Sequence, residues 1–331
     1  MLRQQRVRPP RNDWVADLSD RAFTFEIRIP STDGSIRFVL GNRDNRDHIA
    51  SLIRANGLAN YEAPMPSVFA RLAQQASGLA LDIGANTGVF ELLAAAANPQ
   101  LRVCAFEPLE SVRELFYENL ARNPDLAPRI AVEPFALSRA DGSFPFFETI
   151  NDQGLVTTSS SLELEHAQQV GDYHSSSVIT RTLDGWAEAL GPGAIELVKI
   201  DVEGHEDAVI EGGRKTIDRH RPFIIVEILG PCRVEAFDTM LIESDYLDIA
   251  LTPSALRHCL RARFHGDAWN HLCARLRRRS GFWRYAESST SVWSSRKETG
   301  SAGWQHCSFE RRTSSASHSA IASLGFSASP P

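Results

Sequence analysis

Four acids stand where apolar runs of this sequence stop: Asp82 in Leu81-Asp82-Ile83-Gly84, Glu107 after Phe106, Asp201 after Ile200 and Glu227 after Val226. A carboxylate ending a buried strand is unfavourable without a partner, which makes such positions candidates for ligand contact. Glu107 can accept from two adjacent hydroxyls, the pattern a ribose presents. Asp82 leads into Gly84, Asn86 and Gly88, a Gly-x-Asn-x-Gly turn. Its glycines let backbone approach a ligand, and the helix that follows aims amide groups at that ligand. The run Asp201-Val202-Glu203-Gly204-His205 supplies three proton acceptors, Asp201, Glu203 and His205. Unperturbed imidazole titrates nearest neutrality, whereas a carboxylate needs its pKa raised by burial to act as base. Lys199 shares a strand face with Asp201 and is a candidate ion-pair partner. Oxygen ligands from Asp201, Glu203 and Glu227 would suit magnesium, but nothing in their spacing requires a metal.

These residues need a frame that gathers strand ends along one edge. Hydrophobic periodicity predicts strands over 78–83, 101–106, 130–135, 195–200 and 223–228, with helices over 89–97, 110–122, 184–189 and 206–218. Alternating strands and helices imply an α/β fold, a doubly wound parallel sheet with its ligand outside the carboxyl ends of the strands. Before it, 23–29 and 35–40 alternate in polarity around Ser31-Thr32-Asp33-Gly34, a hairpin signal, and helices follow over 47–55 and 66–75. The polar excursion 151–177, with Thr157 to Ser161, His166, Tyr173 and His174, reads as a long loop over the same edge and a candidate acceptor-binding wall. A sixth strand is expected over 246–251, and no seventh is recognisable.

The glycine turn has Asn86 where a Gly-x-Gly-x-x-Gly fingerprint needs its second glycine, so a pyrophosphate-bearing dinucleotide fits poorly. S-adenosylmethionine carries no phosphate but has an ammonium and a sulfonium, and suits an acid at the strand end. Asp82 is a candidate partner of that ammonium, directly or through water. Taken together, Leu81 to Phe90, Phe106-Glu107-Pro108, Ala136-Leu137-Ser138, Thr182-Leu183-Asp184 and Val198-Lys199-Ile200-Asp201-Val202-Glu203-Gly204-His205-Glu206 resemble the FkbM family of S-adenosylmethionine-dependent methyltransferases. The resemblance runs from about Asp47 to Leu229 and includes Tyr61-Glu62 and Arg221-Pro222. It implies a Rossmann-like class I methyltransferase sheet, S-adenosylmethionine as cofactor, and most often methylation of a hydroxyl on a sugar, glycan or natural product. It also implies an adenine pocket beside Ala136 and Leu137, helped by Ser138 or Asp141, and a cofactor or substrate contact at Glu62.

With 331 residues, 43% hydrophobic and 23% charged, the chain can bury one sizeable core. No apolar stretch of about 18 residues occurs and Met1 to Asp13 lacks a signal-peptide core, so no membrane contact and a cytoplasmic location are expected. Five irregularly spaced cysteines argue against a disulfide framework. The expected organisation is an N-terminal extension over 1–76, the methyltransferase sheet over 77–254 and an irregular tail over 255–331. That tail holds 12 Lys+Arg against 4 Asp+Glu, a net charge of +8, while the rest of the chain carries −14. Its 15 serines and weak periodicity favour disorder or an aberrant extension beyond about His271. Two other functions compete with small-molecule methylation: a catalytically impaired cofactor-binding protein, and a nucleic-acid methyltransferase using the basic tail, which the acidic remainder disfavours.

Overall fold

The computed structural model describes residues 22–31, 34–42, 46–149, 159–188, 195–229, 233–244, 246–250 and 269–275. The chain enters through β1 (Phe23–Ser31) and β2 (Gly34–Asn42), an antiparallel hairpin that sets Phe25 opposite Leu40 and Ile27 opposite Phe38. Helix α1 (His48–Asn56) starts at Asp47, whose carboxylate accepts from the Ala50 amide at 2.8 Å and so satisfies one open donor of the first turn. Helix α2 (Met65–Gln75) follows.

The core then alternates as its periodicity predicts: β3 (Leu79–Ile83), α3 (Val89–Ala97), β4 (Arg102–Phe106), α4 (Glu110–Ala121) and β5 (Ile130–Glu133). Helix α3 is buried along Val89 to Ala95 because the hairpin covers the side that the sheet does not. Its small alanines permit that double packing, and Phe90 meets Phe69 of α2 edge-on at 5.3 Å. A small sheet interrupts the alternation. Strands β6 (Ala136–Leu137), β7 (Gly142–Thr149) and β8 (Tyr173–Arg181) pair in the order β6-β8-β7, with α5 (Leu164–Val170) before β8. The excursion expected to be a loop therefore carries a helix and a strand, held by the Phe147–Ser161 bridge and by eight β7–β8 pairs. Residues 151–158 lie outside the described residues.

Helix α6 (Leu183–Glu188), β9 (Ile195–Ile200), α7 (Glu206–Gly212), α8 (Arg214–His220) and β10 (Phe223–Ile228) come next. The single helix expected over 206–218 breaks at Gly212-Gly213. A Cβ on Gly212 would stand 2.1 Å from the Ser138 carbonyl, and one on Gly213 would meet Leu183 at 2.9 Å, so this close packing tolerates no side chain there. Helix α9 (Val234–Glu243) leads to β11 (Tyr246–Ala250) and β12 (Trp269–Arg275).

Seven strands form one sheet in the order β11-β12-β10-β9-β3-β4-β5. All run parallel except β12, which is antiparallel to both neighbours. Strand β12 is the seventh strand that the sequence did not reveal, and it extends the sheet beyond residue 254 and past His271. Residues 276–331 lie outside the described residues. Burial on both faces explains the continuous apolar runs: Leu81, Ile83, Val198, Ile200, Ile224 and Val226 pack on one side, Ala80, Leu197 and Ile225 on the other. The chain winds one way through β3, β4 and β5, then reverses through β9 and β10. The switch point therefore falls between the carboxyl ends of β3 and β9.

Candidate cofactor and acceptor site

At the switch point the loops after β3 and β9 meet. The Asp201 amide donates to the Ile83 carbonyl at 2.9 Å, and a Cβ on Gly84 would lie 1.8 Å from the Asp201 carbonyl oxygen. Gly84 is thus required by loop-to-loop contact, in a left-handed conformation with φ of 88°. Gly88, with φ of 89°, makes room for the Phe116 ring and lines neither of the two cavities described below. Asn86 also takes a left-handed turn, φ 49°, which points its amide at Glu107.

Glu107 Oε2 accepts from the Asn86 amide at 3.1 Å and Oε1 from the Leu109 amide at 2.9 Å. Each oxygen keeps a second lone pair for a hydroxyl. Burial pushes this carboxyl up to about 7 in pKa, against the pull of those amides. It lines a cavity whose apolar wall includes Phe106, Leu109, Val112, Leu137 and Phe146. Ala136, Ser160, Leu162 and His205 line the same space.

A second cavity shares Gly84, Asn86, Asp201 and Glu203 with the first. It adds His48, Tyr61, Glu62, Phe90, Lys199 and Glu227. Lys199 is 2% exposed, with Nζ 2.9 Å from Asp201 Oδ2, 3.5 Å from Asp82 Oδ1 and 4.8 Å from the centre of the Phe90 ring. Burial opposes its charge, but the two carboxylates outweigh burial and hold its pKa well above the usual range. Burial likewise opposes the charge of Asp201, yet Lys199 and a hydrogen bond from Glu227 keep its pKa below the ordinary value. Glu227 is driven well upward by burial and by the Asp201 charge, which fits a protonated Glu227 donating to an ionised Asp201.

Asp82 lines neither cavity. It is 1% exposed, faces Lys199, and burial raises its pKa to about 6. Glu203, left-handed with φ of 56°, pairs with His166 Nε2 of α5 at 3.1 Å, and burial raises its pKa. His205 has both ring nitrogens engaged: Nδ1 lies 2.5 Å from Glu163 Oε1 and Nε2 lies 2.9 Å from Ser138 Oγ. The Ser161 hydroxyl donates to the Glu203 carbonyl at 2.7 Å, so the segment before α5 is fastened to the loop after β9. Glu206 folds back to accept from the Gly204 amide at 2.9 Å and the Val202 amide at 3.3 Å, fixing that loop from below. Asp141 caps Thr182 through its amide at 2.7 Å, away from both cavities. Phe146, Leu162 and Glu163 escaped sequence reasoning, because they come from the small sheet and its loop, whose placement no local pattern reveals.

Residues 82–245 match the Methyltransferase FkbM domain. This part of the chain belongs to the FkbM methyltransferase family. Among curated proteins, the chain is similar to the AMB antimetabolite synthetase AmbE of Pseudomonas aeruginosa, 30% identical over 161 residues, with 40% of this chain and 7% of that protein covered. It is also similar to the 2-O-methyltransferase NoeI of Sinorhizobium fredii, 28% identical over 164 residues, with 47% of this chain and 65% of that protein covered. The chain thus spans less than two thirds of each of these relatives. The similar solved structures include two of low identity. They are methyltransferase FkbM of Methylobacillus flagellatus KT (TM-score 0.38, 18% identity, 59% of this chain and 43% of that one) and precorrin-6y C5,15-methyltransferase of Geobacter metallireducens GS-15 (TM-score 0.34, 12%, 63% and 87%).

The family and fold imply S-adenosylmethionine as methyl donor. The residues present suit it: a carboxyl group with two accepting oxygens beside an apolar slot can take a nucleoside, and a second cavity lined by several carboxyl groups can take a sulfonium and an ammonium. Among the described residues no helix is long and apolar enough to cross a membrane.

Proposed function

We propose that this chain transfers the methyl group of S-adenosylmethionine to a hydroxyl of a sugar, glycan or natural product. The observation that carries the reading is the junction at Gly84, Asn86, Asp201 and Glu203, which line both an apolar cavity holding Glu107 and a second cavity rich in carboxyl groups. In this reading Glu107 holds the ribose, and Leu137, Phe146 and Ala136 enclose the base. Asp201 faces the positive end of the cofactor, held ionised by Lys199, while Asp82 acts from behind by fixing Lys199.

When bound, the cofactor supplies an electrophilic methyl carbon; the chain's task is to align an oxygen with it and to receive the hydroxyl proton. His205, with partners on both ring nitrogens, serves to position the loop between β9 and α7. Carboxyl groups of the second cavity receive the proton, and a lining this rich in acids favours a neutral polyol over a phosphorylated or nucleic-acid acceptor. Calorimetric titration with S-adenosylhomocysteine, followed by a screen of hydroxyl acceptors with labelled methyl donor, tests this. Binding and label in a neutral glycan or natural product support the proposal. Absence of binding, or label only in nucleic acid, contradicts it.

A further inference from the structure

Six titratable groups besides Glu62 line the second cavity: His48, Tyr61, Lys199, Asp201, Glu203 and Glu227. Three of them are accounted for by each other, since Lys199 and Glu227 both donate to Asp201. Glu203 is bound to His166. Glu62 differs. Its backbone holds a left-handed turn with φ of 47°, an uncommon conformation for a residue with a side chain, and this aims the carboxyl into the cavity from the segment before α2. The Tyr61 side chain bonds to the carboxyl, yet Oε2 is buried without a hydrogen-bond partner among the described residues. A buried acceptor left open at a cavity wall is suited to a proton or a donor from a ligand.

We propose that Glu62 is the proton-accepting residue on the acceptor side of the cofactor, ionised by the arrival of the sulfonium and reprotonated by the acceptor hydroxyl. The step balances: the acceptor oxygen forms its bond to the methyl carbon as the carbon–sulfur bond breaks, the bonding pair returns to sulfur, and the hydroxyl proton passes to Glu62. Burial and the charge of Asp201, opposed by Lys199, set the Glu62 pKa at about 7, so a nearby positive charge suffices to strip its proton at neutral pH. Once sulfur has become a neutral thioether, that pull is gone and the proton stays until the next cofactor enters.

This inference rests on the cofactor reading above and needs no known acceptor for its test. S-adenosylmethionine and S-adenosylhomocysteine are titrated into the full chain at pH 6.5 in two buffers of different ionisation enthalpy, which gives the protons released on binding. The wild type should release about half a proton or more in excess for the sulfonium ligand, since an opposite charge nearby lowers a carboxyl pKa by about 1–3 units. Any proton released at Glu107 is common to both ligands and cancels. In Glu62→Gln, under conditions where S-adenosylhomocysteine still binds, the excess should vanish. Should the variant not fold, the wild-type affinity ratio of the two ligands must still rise between pH 5.5 and 8.5. Equal proton counts, an excess that persists in Glu62→Gln, or a flat ratio would overturn the proposal. Failure of both ligands to bind would instead remove the cofactor reading on which it depends.

Discussion

Replacing Lys199 by Met keeps the volume of the side chain and removes the ammonium at the centre of the carboxylate cluster. At an effective dielectric of about 20, unit charges at the observed 2.9 and 3.5 Å attract by about 6 and about 5 kcal/mol. Much of that gross attraction offsets the desolvation of three buried charges, and removing one partner of such a group typically costs about 3–5 kcal/mol. The loss must depend on pH. Without Lys199 the folded-state pKa values of Asp82 and Asp201 rise, so the variant loses stability as pH climbs through those raised values. Protonation at low pH relieves the unpaired charge. Urea unfolding at pH 8 should therefore show Lys199→Met less stable by about 3–5 kcal/mol. The difference should shrink by at least about 1.4 kcal/mol at pH 5, the equivalent of one pKa unit. A difference below about 1 kcal/mol that is flat across this range would refute the ion-pair account of the site.

Glu107→Gln should weaken S-adenosylhomocysteine binding by about 10–100-fold, the worth of charge-assisted hydrogen bonds to the ribose. Because the carboxylate is the accepting form and its pKa is about 7, calorimetric affinity of the wild type should rise from pH 6 to 8 and that of the variant should not. Gly84→Ala combines left-handed strain with a Cβ 1.8 Å from a backbone carbonyl, and should lower stability by about 2–4 kcal/mol. Gly57→Ala, at φ 79° and ψ 149° with nothing within 4 Å of the added Cβ, carries backbone strain without a clash and should lower it by about 1–3 kcal/mol in the same melts. Asn119 accepts from the Gly41 amide at 3.2 Å and donates to the Thr87 carbonyl at 2.9 Å, joining the hairpin to the glycine turn. Asn119→Ala should cost about 2–4 kcal/mol by chemical denaturation, because two buried backbone groups lose their partner.

The parallel core was legible because strands buried on both faces read as unbroken apolar runs and their ends were marked by Asp82, Glu107, Asp201 and Glu227. Observed strands β3, β4, β9 and β10 match those expected to within a residue at each end. The seventh strand was not legible. Trp269–Arg275 mixes Asn270, His271 and Arg275 with apolar residues, shows no clear alternation, and lies in a segment whose composition suggested disorder. The small sheet was missed for a related reason: the serines of Tyr173–Arg181 stand on exposed positions, and serine-rich polar sequence reads as loop. At the site, sequence could name the acids but not their division of labour. Asp82 and Asp201 look alike as strand-end carboxylates and both face the buried ammonium of Lys199, yet only Asp201 also lines the cavities. Gly84 and Gly88 look alike as turn glycines, yet one admits the Asp201 carbonyl and the other an aromatic ring. Both distinctions arise from partners far away in sequence.

A crystal structure of the chain grown with S-adenosylhomocysteine tests the central claim most directly. The account predicts ribose hydroxyls within hydrogen-bond distance of both Glu107 oxygens, the base against Leu137 and Phe146, and the amino-acid end crossing between Gly84 and Asp201 into the second cavity. Density for the nucleoside outside this crevice, or its amino-acid end turned away from Asp201, would contradict it.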